Sequence, residues 1–350
     1  MKKINLVSLI LLVAIIFSSL SGCKKEKEQY KNTSFAYFDT VTTIIGFEKS
    51  EKEFAKVSGD ALKLLGEYHR LYDIYNEYDG ITNICSINKL VDGEHQKLTV
   101  DEKIIDMLLY AKDMYRKTGG KMNIAMGSVL SIWHDYRTEG LDNPVSAKLP
   151  PMEQLREAAL HTDINNLIID EENSTVYLAD PEMTLDVGAV AKGYAVEMVA
   201  RYLKEMGKTD YVINVGGNIR ATGVKATGDK WQAGVENPDS ASDVPYIAYI
   251  ELDNKASVTS GSYQRYYVVD GKRYHHIIDS ETLMPATGFL SVSLICDSSA
   301  DGDALSTALF CMSLEEGMAL VNSLEGVEAL WVDEKGEIYY SNNFQNYCYK

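Results

Sequence analysis

Apolar residues recur at helical intervals over residues 54–75, and more clearly over 101–117, where Ile104, Ile105, Leu108 and Tyr115 mark one face. Gly119-Gly120 stops the second of these helices. A shorter helix is predicted over 129–136, and another over 152–160 opens behind the Pro150-Pro151 pair. A long helix from 189 to 206 ends at Gly207. Strand patterns begin at 166–169 and 175–178, joined as a hairpin. The continuous apolar run 211–215 reads as a buried strand, followed by strands at 231–235 and 246–252. Segments 266–269 and 274–278 pair across Asp270-Gly271. A strand at 292–295 leads into a last helix, and 329–332 pairs with 338–340. Helices first and antiparallel strands later predict an α+β fold, with a helix-rich N-terminal half and a mainly antiparallel C-terminal half packed as one unit.

The first residues fall outside this pattern. Lys2 and Lys3 precede an apolar stretch over 4–20, and Leu20-Ser21-Gly22-Cys23 follows it. This is a secretory signal with small residues before the cut. A cysteine directly after Leu-Ser-Gly resembles a bacterial lipobox, which makes Cys23 the lipidated mature N-terminus. The expected organisation is a signal peptide at 1–22, a polar lipid-anchored tether at 23–34 and one domain at 35–345. The protein is thus expected at the cell membrane, held by lipid and facing the extracytoplasmic side.

Composition narrows the partners. The net charge of −17 repels nucleic acid, so an anionic small ligand needs a local positive centre such as a metal or a lysine. Among the remaining cysteines, Cys296 and Cys311 sit in apolar surroundings, and no C-x-x-C spacing supports zinc.

Within Asp301-Gly302-Asp303-Ala304-Leu305-Ser306-Thr307, residues Asp303, Ser306 and Thr307 fall at i, i+3 and i+4 of a helix. Three hard oxygen ligands on one face suit Mg²⁺ or Ca²⁺ better than zinc. The same residues also fit a helix start, with Asp301 as cap and Asp303 favoured by the helix dipole. Upstream, Leu185-Asp186-Val187-Gly188-Ala189-Val190-Ala191-Lys192-Gly193 runs from strand into helix. It has either the logic of a phosphate site, with free helix-start amides and Lys192, or that of a tight turn. Asn214-Val215-Gly216-Gly217 marks a close ligand approach or a bend. Thr259-Ser260-Gly261 and His275-His276-Ile277-Ile278-Asp279 complete the set. Neighbouring strand histidines face opposite sides, so at most one reaches a given site.

The ordered motifs DVGAVAKGYAV, NVGGNIRATG, SVTSGSYQRYY, HHIID and DALSTALF resemble the FAD:protein FMN transferases of the ApbE family, with GGKMNIAMGSVLSIWH and YNEYDGITNICSIN upstream. The resemblance implies Mg²⁺ held by the Ala189 carbonyl, Asp303 and Thr307, with Ser306 near. It implies FAD contacts at Tyr78, Lys121, Met122, Asn123, Asp186, Lys192 and Ile277, and a further one at Phe38. The implied reaction moves FMN from FAD to a Thr or Ser hydroxyl of an acceptor protein and releases AMP. His276 or Asp279 is the expected base. Two departures bear on flavin contacts: Asn123 stands where the family usually has Asp, and Ala125 where it often has Thr. Competing expectations are Mg²⁺-dependent hydrolysis of FAD to FMN and AMP, and non-catalytic flavin binding by a lipoprotein.

Overall fold

The computed structural model describes residues 26–89 and 97–349. The expected leader and Cys23 lie outside them. The described chain opens with a hairpin, β1 (Glu28–Tyr37) and β2 (Thr40–Glu48), and the helix α1 (Glu51–Tyr72). Helix α2 (Ile84–Asn88), strand β3 (Leu98–Thr99) and helix α3 (Glu102–Lys117) follow. Helices α4 (Gly127–Asp142) and α5 (Met152–Ala158) lead to the hairpin β4 (Leu167–Asp170) and β5 (Thr175–Leu178). Helix α6 (Ala191–Glu205) then enters β6 (Tyr211–Val215), β7 (Asn218–Ala221), β8 (Trp231–Glu236), β9 (Tyr246–Leu252) and β10 (Ala256–Gly261). A hairpin of β11 (Tyr266–Val269) and β12 (Lys272–His275) precedes β13 (Phe289–Cys296). The helices α7 (Ser299–Phe310) and α8 (Leu314–Ser323) and the strands β14 (Glu328–Asp333) and β15 (Ile338–Tyr340) end the set.

One antiparallel sheet in the order β1-β2-β6-β7-β10-β13-β14-β15 organises these elements. Helices α1, α6 and α7 cover one face, where Ile213, Val258, Leu294, Ala304 and Leu309 share a core. The β8–β9 hairpin covers the other face through Trp231, Val235 and Ile250 against Ile295 and Leu330. Strand β13 is therefore enclosed on both sides, which is why its apolar run is continuous rather than alternating. A satellite core of Val129, Trp133, Tyr267 and Leu283 joins α4 to the β11–β12 hairpin, and Trp133 Nε1 donates to the Leu283 carbonyl at 2.9 Å. The pocket lies between this lobe and the helices α6 and α7.

The α+β reading holds, with corrections. Residues 28–34, expected in the tether, are paired in β1 against β2. At the other end, Tyr349 N–H still donates to the Tyr249 carbonyl at 2.8 Å, so the fold runs past residue 345. The partner of β11 is Lys272–His275, not 274–278, which leaves His276 just beyond the strand. Asp301 is not the cap of α7. Ser298 caps it, accepting from the Asp301 amide, and the Asp301 carboxylate takes the Tyr110 hydroxyl at 2.7 Å.

Candidate active site

The floor of the pocket is made where α6 crosses α7. Ten of the twelve residues of α7 are buried, Asp303 among them, so its carboxylate must find partners inside the protein. It finds two on α6. The Gly193 amide donates to Oδ2 at 2.7 Å, and Lys192 Nζ donates to Oδ1 at 3.3 Å. Gly193 N–H would otherwise close the first turn of the helix onto the Ala189 carbonyl. Among the described residues that carbonyl receives no backbone hydrogen bond, whereas the next amide, Tyr194, bonds Val190 normally. Glycine is needed at 193 for space: a Cβ there would sit 2.4 Å from both Asp303 Cβ and the Ser299 carbonyl.

Ala189, Asp303 and Thr307 all line the pocket. They offer a carbonyl, a carboxylate and a hydroxyl, hard oxygens that fit Mg²⁺. The described residues hold no cluster of three His, Cys, Asp or Glu, so zinc-type chemistry has no donor set among them. Ser306 does not line the pocket. Its hydroxyl bonds Ser260 Oγ at 2.8 Å and the Asp303 carbonyl at 3.0 Å, so it braces α7 against β10.

The two histidines separate clearly. His275 Nε2 donates to the Ala286 carbonyl at 2.8 Å and Nδ1 accepts from the Ile277 amide, which leaves the ring no free nitrogen. His276 Nδ1 meets the Arg265 carbonyl at 3.2 Å and can only donate there, so Nε2 keeps its lone pair. Burial, then the nearby Arg265, His275 and Arg137, push the His276 pKa down to about 3. The ring is neutral at physiological pH. Asp279 lies outside the pocket lining. Its Oδ1 accepts the Glu281 and Thr282 amides and its Oδ2 the Lys121 ammonium. Burial alone would raise its pKa, but those bonds hold it below the usual carboxylate range, which makes it a loop anchor and a weak base.

Comparison with known proteins adds the decisive observation: the family model described as "ApbE family" matches residues 38–331. The chain belongs to the ApbE family. A Treponema pallidum protein named FAD:protein FMN transferase is 33% identical over 250 residues, covering 67% of each chain. A Vibrio cholerae protein of the same name is 28% identical over 338 residues, covering 95% of this chain and 96% of that one. The solved ApbE protein of Thermotoga maritima superposes with a TM-score of 0.79 at 27% identity, over 92% of this chain and all of that one. The ApbE-like architecture expected from the motifs is therefore the architecture found.

Of the residues that the resemblance assigns to FAD, Phe38, Lys121, Met122, Asn123, Asp186, Lys192 and Ile277 line this one pocket. Tyr78 does not line it; its hydroxyl donates to Asp73 at 2.7 Å. The same Asp73 carboxylate accepts the Tyr75 amide at 2.7 Å, and the turn it organises presents Tyr75 to the pocket instead. Asn123 caps the turn after it with Oδ1 and donates Nδ2 to the Thr162 carbonyl at 3.0 Å. An aspartate could not make the second bond, so this departure from the family serves the local fold. Recess in the pocket raises the Asp186 pKa, against the Gly188 amide and the charges of His134 and Arg137. Among the lining residues that escaped the sequence reading are Tyr75, His134, Arg137 and Arg265. Tyr75 packs against His134 with ring centroids 5.1 Å apart and the rings tilted by 33°, and His134 Nδ1 lies 2.8 Å from Arg137 Nη2. Only the i, i+3 spacing of His134 and Arg137 on α4 hinted at that pair.

Proposed function

We propose that this ApbE-family flavin transferase moves the FMN moiety of FAD onto a Ser or Thr hydroxyl of an extracytoplasmic acceptor protein, with Mg²⁺, releasing AMP. The observation that carries the reading is the α6–α7 crossing. There the Asp303 carboxylate draws off the Gly193 amide, so the Ala189 carbonyl is left open beside Asp303 and Thr307 in the pocket. Those three residues would hold Mg²⁺, which supplies charge neutralisation at the pyrophosphate when bound. Lys192, beside Asp303, adds a positive charge on the same side. Phe38 and the tilted Tyr75–His134 pair offer aromatic surface to the flavin or adenine ring.

His276 is the base in this reading. Its neutral Nε2 takes the proton of the acceptor hydroxyl as that oxygen bonds the phosphorus of FMN. The bridging P–O bond to AMP breaks, and AMP leaves with the electron pair. Bound pyrophosphate places negative charge near the ring and offsets the two arginines that depress its pKa. Residues 1–22 as a secretory leader and lipidation at Cys23 would hold the protein at the membrane, facing its acceptors.

The test is to incubate the protein with FAD, Mg²⁺ and candidate acceptors and weigh the acceptors by mass spectrometry. A mass gain of one FMN per acceptor, lost in Asp303→Ala, is the expected result. FMN that accumulates in solution with no acceptor modified would replace transfer with hydrolysis.

A further inference from the structure

Strand β8 pairs with β9 alone, and among the described residues no backbone hydrogen bond leaves its other edge. Alternate residues of such a strand turn their N–H and C=O groups outward, where another chain can pair with them. Proteins guard open edges with charge, proline or shortness. The edge strands of the large sheet follow that rule: β1 carries Glu28 and Lys31, and β15 has three residues. Strand β8 reads Trp-Gln-Ala-Gly-Val-Glu, with no lysine or proline and a charge only at its last residue. Its one bulge, between Val235 and Glu236, also lies at that end.

The floor beside that edge is apolar. Ile45 on β2, its cross-strand neighbour Val212 on β6, and Ile219 on β7 pack against the cluster under the β8–β9 hairpin, yet each stays only partly buried. Val41 lies two pairs of residues before Ile45 on the same face of β2 and is 45% exposed. The far end of this shelf is closed, because the Trp231 ring packs on Phe47 with centroids 5.9 Å apart. The near end opens on the pocket. There Glu236 accepts the Tyr263 hydroxyl at 3.0 Å and Gln264 Nε2 at 3.4 Å, and Gln264 lines the pocket together with Thr40 and Gly216. We propose that an extended segment of the acceptor adds as a strand to the open edge of β8, lies over Ile45 and Ile219, and carries its Ser or Thr past Glu236 into the pocket. Main-chain hydrogen bonds supply the affinity in this mode, and apolar side chains at every second position meet the floor. The inference rests on the flavin-transfer reading and adds to it the way in which the acceptor is held.

The full chain with FAD and Mg²⁺ is offered a synthetic library of peptides about a dozen residues long, each with a central Thr and room for one strand on either side. The peptide that gains FMN fastest by mass spectrometry is then remade with one backbone amide methylated at a time. On one side of the Thr, methylation at alternate positions should lower kcat/KM by about tenfold, and at the intervening positions by less than about twofold. Val41→Lys should raise the peptide KM at least about fivefold, while FAD affinity, read by flavin fluorescence, changes less than about twofold. A methylation scan without that alternation overturns the proposal. So does flavinylation of folded proteins but of no peptide in the library, which would assign recognition to a folded surface. A dimer in sedimentation that Val41→Lys dissociates, with the peptide KM unmoved, would give the edge to a second copy and overturn it too. Protein that flavinylates neither peptides nor proteins sinks the flavin-transfer reading itself, and this inference with it.

Discussion

Replacing Gly193 by alanine sets two effects of opposite sign against each other. In an open helix the change stabilises by about 1 kcal/mol, because alanine loses less backbone freedom. Here the new methyl would stand 2.4 Å from Asp303 Cβ and 2.4 Å from the Ser299 carbonyl, neither of which is a flexible side-chain end. Relief requires α6 and α7 to part by about 1 Å, and overpacking of this kind costs about 1–3 kcal/mol. Parting also stretches the 2.7 Å bond from the Gly193 amide to Asp303, a charged hydrogen bond worth roughly 1.5–3 kcal/mol. The losses exceed the gain, and the net is a destabilisation of about 2–4 kcal/mol. Because the same movement displaces Asp303 from Ala189, the Mg²⁺ concentration for half-maximal transfer should rise at least about tenfold. Urea unfolding measures the first quantity, and Mg²⁺ titration of acceptor mass gain the second. A variant that is more stable than wild type, with an unchanged Mg²⁺ requirement, would refute the claim that α6 and α7 are in contact at this glycine.

Other expectations follow from the same contacts. Asp303→Ala should abolish transfer while far-ultraviolet circular dichroism stays native, since α7 keeps its apolar packing. His276→Ala should lose about two to four orders of magnitude in transfer rate but little FAD affinity. The His276 pKa is depressed in the folded state, so the unfolded chain binds the extra proton first as pH falls. Stability present above pH 6.5 should therefore drain between about pH 6.5 and 3, and His276→Gln should flatten the melting temperature across that window. Glu197, buried on α6, accepts Arg220 Nε at 2.8 Å and the Ser299 amide at 2.9 Å. Glu197→Gln strands the buried guanidinium and should cost about 3–5 kcal/mol in urea unfolding, and adding Arg220→Met should recover most of it.

That Lys192, Asp303 and Thr307 share one pocket was legible in the sequence because motif spacing and helix period coincide on α6 and α7. Asp303 and Thr307 share a face in any helix, so their pairing needed no tertiary knowledge. The partners of that face were less legible. Ser306 has the right spacing for a ligand, yet Ser260 on β10 takes its hydroxyl, a contact 46 residues away that spacing cannot reveal. Asp279 looked like a base because it follows His276 by three, but the loop after it turns back and claims the carboxylate with two amides. Arg137 and Arg265 line one pocket only because the satellite core folds α4 against the β11–β12 hairpin.

The N-terminal hairpin was the larger miss, and its turn explains why. Polar residues fill much of β1, since it is an edge strand with most of its side chains in solvent, and so its composition reads as linker. The turn offers no Asn-Gly or Asp-Gly signal. Instead Phe38 and Asp39 adopt φ of 55° and 49°, the left-handed region that a type I′ hairpin requires and that aromatic residues avoid. Glycine at 38 would serve the turn better by about 1 kcal/mol or more. Phenylalanine is held there by its amide on His69 Nδ1 at 3.3 Å and by its ring edge-on to the same imidazole, centroids 5.3 Å apart. A strained aromatic at a hairpin tip that lines the pocket is poor turn design and good ligand design. The rule that failed to find the hairpin failed at a residue that lines the pocket, so the disagreement between local preference and fold is itself a pointer to that pocket.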